Sequence, residues 1–150
     1  MKKMLVAAGL MTAFAFPISA EDVKPMNVAF SDGMVEQSLT GKAGDPAEGR
    51  KAFMNRKLGN CLACHENADM AEQPFHGEVG PILDGVGERW SEADLRGIVT
   101  NAKEMFPDTI MPGFYVDAGF TRTLDKFEGK SILTAQQVED IVAYLLTLKE

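Results

Sequence analysis

Apolar residues recur at helical spacing in three parts of this 150-residue chain, and no run alternates in the way a sheet strand requires. The strongest pattern lies near the end. Val138, Ile141, Val142, Leu145 and Leu148 share one face, with Tyr144 and Leu146 at its flanks, and Thr134 is placed to cap the helix they form. Leu95, Ile98, Val99 and Ala102 repeat in the same way behind Ser91 and Asp94, a capping-box pair, which predicts a second helix over roughly 92–102. Earlier, Asp45 as N-cap and Pro46 at the first helical position open a helix that should run to about Lys57, anchored by Phe53. Gly49 lies one turn before Phe53 on the same face, where a missing side chain lets another helix cross closely; the last helix is the expected partner. The pattern is that of an all-α protein without internal repeats.

Between the helices the chain is broken up. Residues 21–44 have no period, and Pro25, Gly33, Gly41 and Gly44 divide them into short extended pieces, an N-terminal arm. Met26, Val28, Phe30, Met34, Val35 and Leu39 are too apolar for a solvated tail, so the arm should dock on a surface. Residues 66–79 form a polar loop with Pro74 and Gly77, and Gly85, Gly87, Arg89 and Trp90 form a tight segment. Residues 105–113 are a proline-bounded extended stretch. Residues 114–133 make a connection longer than chain closure needs, either a functional loop or a partner surface.

At the start, Lys2 and Lys3 precede an apolar run over 4–16 that ends in Pro17-Ile18-Ser19-Ala20, the pattern of a secretory signal peptide cleaved before Glu21. The run is too short to span a bilayer, so no membrane anchor is expected in the mature chain, which divides into the arm at 21–44 and one domain at 45–150. Loss of the two lysines leaves 13 basic against 22 acidic residues, a formal charge of −9, which argues against a nucleic-acid partner. A basic cluster of Arg50, Lys51, Arg56 and Lys57 is either a solvated helix face or a docking patch for an acidic partner.

The two cysteines of the chain both fall in Cys61-Leu62-Ala63-Cys64-His65, the attachment pattern of a c-type haem. Two thiols three residues apart can each add to one vinyl group of the porphyrin, and the next residue's imidazole is then carried beneath the iron as a ligand. A thioredoxin-like dithiol should sit beside a βαβ pattern, which is missing, and zinc would need a second ligand pair. A disulfide closing so short a loop would remove little unfolded-chain entropy. The reading is therefore one covalent haem c on Cys61 and Cys64 with His65 on the iron.

Candidate haem neighbours follow from the loops. A backbone carbonyl near Pro81 is the natural acceptor for the second ring nitrogen of His65. Arg89 and the indole of Trp90 are candidates to hydrogen-bond a haem propionate, although packing alone accounts for Trp90 equally well. Met111, held just before Pro112 and away from any helical stripe, is the expected sixth ligand, ahead of Met105. His76, in a loop close to His65, reads as a surface residue.

The order of a helix with Gly49 and Phe53, CLACH, Gly80-Pro81, Met111-Pro112 and a terminal helix with Ala143-Tyr144-Leu145 resembles a class I cytochrome c over most of the mature chain. More narrowly, GNCLACH (59–65), FHGEVGP (75–81), FPDTIMPGFY (106–115) and LTAQQVEDIVAYL (133–145) resemble the SoxX family, the small haem subunits of bacterial SoxAX cytochromes. The resemblance implies a class I cytochrome c fold of three or more helices around one haem, and attachment at Cys61 and Cys64. It implies His65 and Met111 as axial ligands and a periplasmic heterodimer with a SoxA-like subunit. That complex would oxidatively couple thiosulfate to a cysteine of a SoxYZ-like carrier, with this chain passing electrons to a downstream acceptor and hosting no catalytic residue of its own. The alternative is a free, diffusible cytochrome c serving an oxidase or reductase.

Overall fold

The first helix begins where Asp45 places it. In the computed structural model, which describes residues 21–150, the Asp45 carboxylate accepts the N–H groups of Ala47 at 2.8 Å and Glu48 at 3.4 Å, opening α1 at Pro46–Met54. The signal peptide assigned to 1–20 lies outside the described residues. Helix α1 ends three residues before the expected Lys57. Asn55 is extended there, and its side chain takes the Lys57 N–H at 2.9 Å. Its carbonyl accepts from Leu58 at 3.0 Å and Asn60 at 3.2 Å, so local Asn chemistry bends the chain toward Cys61 instead of adding another turn.

After the haem-motif loop come α2 at Val86–Arg89, α3 at Glu92–Asn101 and α4 at Ala135–Leu145. The short α2 was not expected; Gly85, at a φ of +68°, supplies the left-handed residue that starts it. Both longer helices open on capping boxes, Ser91 with Asp94 and Thr134 with Gln137. Asn101, at φ −156° and ψ 92°, breaks the backbone at the end of α3, and a separate 3-10 turn follows at Ala102–Glu104. Among the described residues the one β-type pairing is an isolated bridge between Ser31 and Met34, and no helix is long and apolar enough to cross a membrane. The fold is all-α, as its patterning predicts.

Helices α1 and α4 cross at Gly49, where an added Cβ would lie 1.9 Å from the Asp140 carbonyl oxygen. Next to this contact Phe53 meets Tyr144 edge to face, with centroids 5.7 Å apart. Val138, Ile141, Val142 and Leu145 then join Leu95 and Val99 of α3, Leu62 and Met70 of the haem-motif loop, and Phe114 and Tyr115 in one apolar cluster.

Residues 21–44 dock, and the surface they dock on is the chain's own. Val35 and Leu39 are only 2% and 1% exposed. Val35 N–H donates to the Ala93 carbonyl at 3.0 Å, Leu39 N–H to Glu139 Oε1 at 2.6 Å, and the Tyr115 hydroxyl to the Val23 carbonyl at 2.8 Å. Behind them lies a buried ion pair: Arg96 Nε contacts both Glu139 oxygens at 3.0 and 3.2 Å, and Arg96 Nη1 donates to the Val35 carbonyl at 3.0 Å. Two charges removed from water are tolerable when each remaining polar site is satisfied. Here Glu92 and the backbone of the N-terminal segment complete the set.

Candidate haem centre

The Cys61-Leu62-Ala63-Cys64-His65 stretch folds as a single tight turn. Gly59 and Asn60 both have positive φ, 141° and 51°, and deliver the chain into a 3-10 turn at Cys61–Ala63. The N–H groups of Cys64 and His65 then donate to the Cys61 carbonyl at 3.1 and 3.0 Å. Leu62 points into the core, while Cys61 is half-buried and Cys64 exposed. The following loop returns to this turn through Gly77 N–H to the Leu62 carbonyl at 2.8 Å and Gly80 N–H to the Cys64 carbonyl at 2.7 Å.

That return brings Pro81 to His65. The Nδ1 atom of His65 lies 2.8 Å from the Pro81 carbonyl, the acceptor expected from sequence. A carbonyl can only accept, so Nδ1 carries the proton and Nε2 is left with its lone pair for a metal. Backbone approach is very close: a Cβ on Gly80 would be 2.4 Å from His65 Cε1. Arg89 supports the same loop, donating from Nη1 to the Asp84 carbonyl at 2.5 Å and from Nη2 to the Ile82 carbonyl at 3.0 Å. Trp90 is half-buried against the core and stands edge-on to Phe106, with centroids 6.1 Å apart.

Met111 packs part-buried against the apolar cluster. The backbone and Cβ of Met105 lie under Gly33, where an added Cβ would come within 2.5 Å of Met105 Cβ. His76 is half-buried, not a free surface residue. Its Nδ1 accepts the Asn67 N–H at 3.2 Å and its Nε2 donates to the Met70 carbonyl at 3.0 Å, so both ring nitrogens serve the loop.

Nothing in the local sequence marks Asn67 and Asp69, yet they tie the haem-motif loop to both terminal helices. Asn67 is fully buried and its Nδ2 donates to the Tyr144 hydroxyl at 2.9 Å; that hydroxyl donates to Asp69 Oδ2 at 2.8 Å. Burial first, and then the Asp69 hydrogen bond, hold the Tyr144 phenol well above its ordinary range. Arg50 pairs with Asp69 and Glu72, both at 2.9 Å, and Lys51 pairs with Glu48 at 2.7 Å. Half of the basic cluster is thus spent on this chain's own carboxylates.

The donor set fits a c-type haem. Cys61 and Cys64 are not joined to each other, and burial pushes the Cys61 thiol up to about 12. Among the described residues no strand stands beside the motif, so the βαβ setting of a thioredoxin-like dithiol is missing. An oriented imidazole with a free Nε2, two unpaired cysteines on one turn and a part-buried thioether are together what haem attachment and ligation require.

A cytochrome c family model matches residues 46–149, and the chain belongs to the cytochrome c family. A chain of the crystal structure of SoxXA from P. pantotrophus is 48% identical, with a TM-score of 0.81, the match covering 86% of this chain and 99% of that one. Within the cytochromes c the chain is therefore of the SoxX type, a SoxAX-type cytochrome subunit carrying covalently bound haem c. Ferric cytochrome c-550 from Paracoccus versutus and cytochrome c2 from Paracoccus denitrificans also match. Each covers 71% of this chain, with 99% and 97% of its own chain aligned, at 24% and 23% identity; their TM-scores of 0.39 and 0.37 add nothing to the assignment. Comparison with curated proteins gave no match.

Proposed function

We propose that this chain is the electron-transfer subunit of a SoxAX-like heterodimer in the periplasm, with 1–20 removed as a signal peptide and 45–150 forming the haem domain. The observation that carries this reading is the 48% identity to a chain of SoxXA across 99% of that chain. Cys61 and Cys64 would hold the haem covalently, and His65 Nε2 and the Met111 sulfur would ligate its iron. When bound, the haem would supply a one-electron couple at its iron, and thioether ligation together with an imidazole would favour the ferrous state. With side chains as its iron ligands, the chain would offer no coordination site to substrate. It receives and passes on electrons.

The reaction served is the coupling of thiosulfate to a thiol of a SoxYZ-like carrier. A sulfur–sulfur bond forms, the thiol proton is released, and two electrons leave for acceptors. Bound haem would give this chain a one-electron centre through which they could pass singly to a downstream acceptor. Joining the two sulfurs calls for a sulfur nucleophile. The chain's two cysteines are consumed as thioethers, so the SoxA-like partner must host that step. The partner's surface is the 114–133 connection, whose outer part leaves Phe120, Leu124 and Phe127 more than half exposed.

The test is native mass spectrometry and a thiosulfate assay on the mature haem protein, alone and with a SoxA-like subunit. A one-to-one complex and turnover only with both subunits, carrier and acceptor are expected. Turnover by this chain alone, or no complex with the partner, overturns the reading.

A further inference from the structure

The loop that carries Met111 is held at the ligand residue itself. Its Met111 N–H donates to Thr109 Oγ1 at 3.2 Å, and its carbonyl accepts from Lys103 Nζ at 3.2 Å. The same ammonium donates to the Thr109 carbonyl at 2.7 Å. Lys103 sits in the 3-10 turn Ala102–Glu104, which follows α3 and packs against it, so these bonds fasten the loop to the turn beside the helix that packs on α4. Other restraints on the stretch are few. Thr109 N–H closes a turn on the Phe106 carbonyl at 3.0 Å, and Ile110, beside the ligand, is 80% exposed. Pro112 removes one donor and restricts Met111 to extended backbone.

We propose that Lys103 and Thr109 are positioning residues for the Met111 thioether: together they fix the backbone N–H and the carbonyl of Met111 and so keep the sulfur on the iron. This rests on the reading that Met111 is the axial ligand. A methionine side chain is flexible, and a thioether is a weak ligand that an outside base can displace. Displacement requires the loop to swing away. A loop whose ligand residue is tied at both its N–H and its carbonyl has fewer ways to do so, which lowers the population of the open state on which the outside ligand binds. The two clamps are chemically different. Lys103 contributes a charge-assisted bond and a positive charge, and Thr109 a neutral one, so a shared effect on ligation cannot be an effect of net charge alone.

The experiment uses the ferric haem protein and imidazole as the displacing ligand. Thr109→Val should bind imidazole more tightly by about three- to tenfold, the scale of one lost hydrogen bond, and Lys103→Leu, which loses two, by at least as much. Each should also weaken the near-infrared thioether-to-iron band and lower the midpoint potential. Lys103→Arg, which keeps a long cationic donor, should return imidazole affinity close to that of the natural protein. Should Lys103→Leu fail to incorporate haem, Thr109→Val decides, since it exchanges one hydroxyl for a methyl. Unchanged imidazole affinity in Thr109→Val, or an arginine variant as easily displaced as the leucine one, overturns the inference. Met111→Ala separates the two levels: loss of the band there with unaltered clamp variants leaves the ligand assignment standing and the clamp disproved. Retention of the band in Met111→Ala overturns both.

Discussion

The imidazole of His65 is oriented by a carbonyl sixteen residues further on, and the loop that supplies this carbonyl is in turn fastened by side chains. Tyr144 is one of them. Its hydroxyl satisfies the buried Asn67 amide and the Asp69 carboxylate at once. Tyr144→Phe keeps the ring against Phe53 but leaves Asn67 Nδ2 without its acceptor in a fully buried place, a loss of about 1–3 kcal/mol. Denaturant unfolding of the haem protein measures it. The pH dependence has a definite sign. The folded phenol is held above the value of about 10 that an unfolded tyrosine has, so its contribution is complete below that pH and is lost as pH rises beyond it. The stability gap between the natural protein and Tyr144→Phe should therefore be constant through neutral pH and narrow in strong alkali. A gap that widens above pH 10 contradicts this.

At the scale of elements, the buried pair of Arg96 on α3 and Glu139 on α4 connects two helices and the N-terminal segment. Both side chains are under 5% exposed. Removing one partner is worse than removing both, because the survivor keeps its desolvation cost without compensation. Arg96→Met should cost about 3–5 kcal/mol, while Arg96→Met with Glu139→Gln should recover a substantial part of it, since Gln can still accept the Leu39 N–H through its side-chain oxygen. Thermal and denaturant melts of the two variants check the order. Equal destabilisation would show that the charge of Glu139 is compensated from elsewhere.

On the scale of the whole molecule, the two non-helical surfaces separate by what they touch. Residues 21–44 place Val35 and Leu39 in the core and donate their N–H groups to the Ala93 carbonyl on α3 and the Glu139 carboxylate on α4, so deleting residues 22–42 should destabilise the haem domain itself by several kcal/mol. The outer part of 114–133 makes the opposite case, with Phe120, Leu124 and Phe127 each more than half exposed. Changing those three residues to serine should leave the melting temperature within a few degrees and weaken binding of the SoxA-like subunit about tenfold or more. Calorimetry and a binding titration read the two effects separately. A collapse of stability in the triple variant, or unchanged partner affinity, removes the surface from the interface.

Where the chemistry is local, sequence alone determined it. The caps at Asp45, Ser91 and Thr134 act within three residues, so their residue types suffice to start α1, α3 and α4. The haem motif is five consecutive residues, and Gly49 one turn from Phe53 announces a close crossing because no other residue permits one. Even the carbonyl at Pro81 was foreseeable, since a metal-binding imidazole needs an acceptor for its second nitrogen. The early end of α1 was less legible, because Asn55 can continue a helix or turn it and only the route to Cys61 settles the choice. Tertiary structure alone decided the rest. Leu39 meets Glu139 at a separation of 100 residues, Asn67 meets Tyr144 at 77 and Arg96 meets Glu139 at 43. No spacing rule reaches so far. In sequence a charged residue beside an apolar stripe, or a serviceable loop asparagine, looks the same whether it faces water or a partner, and packing alone supplies the acceptor that makes its burial affordable.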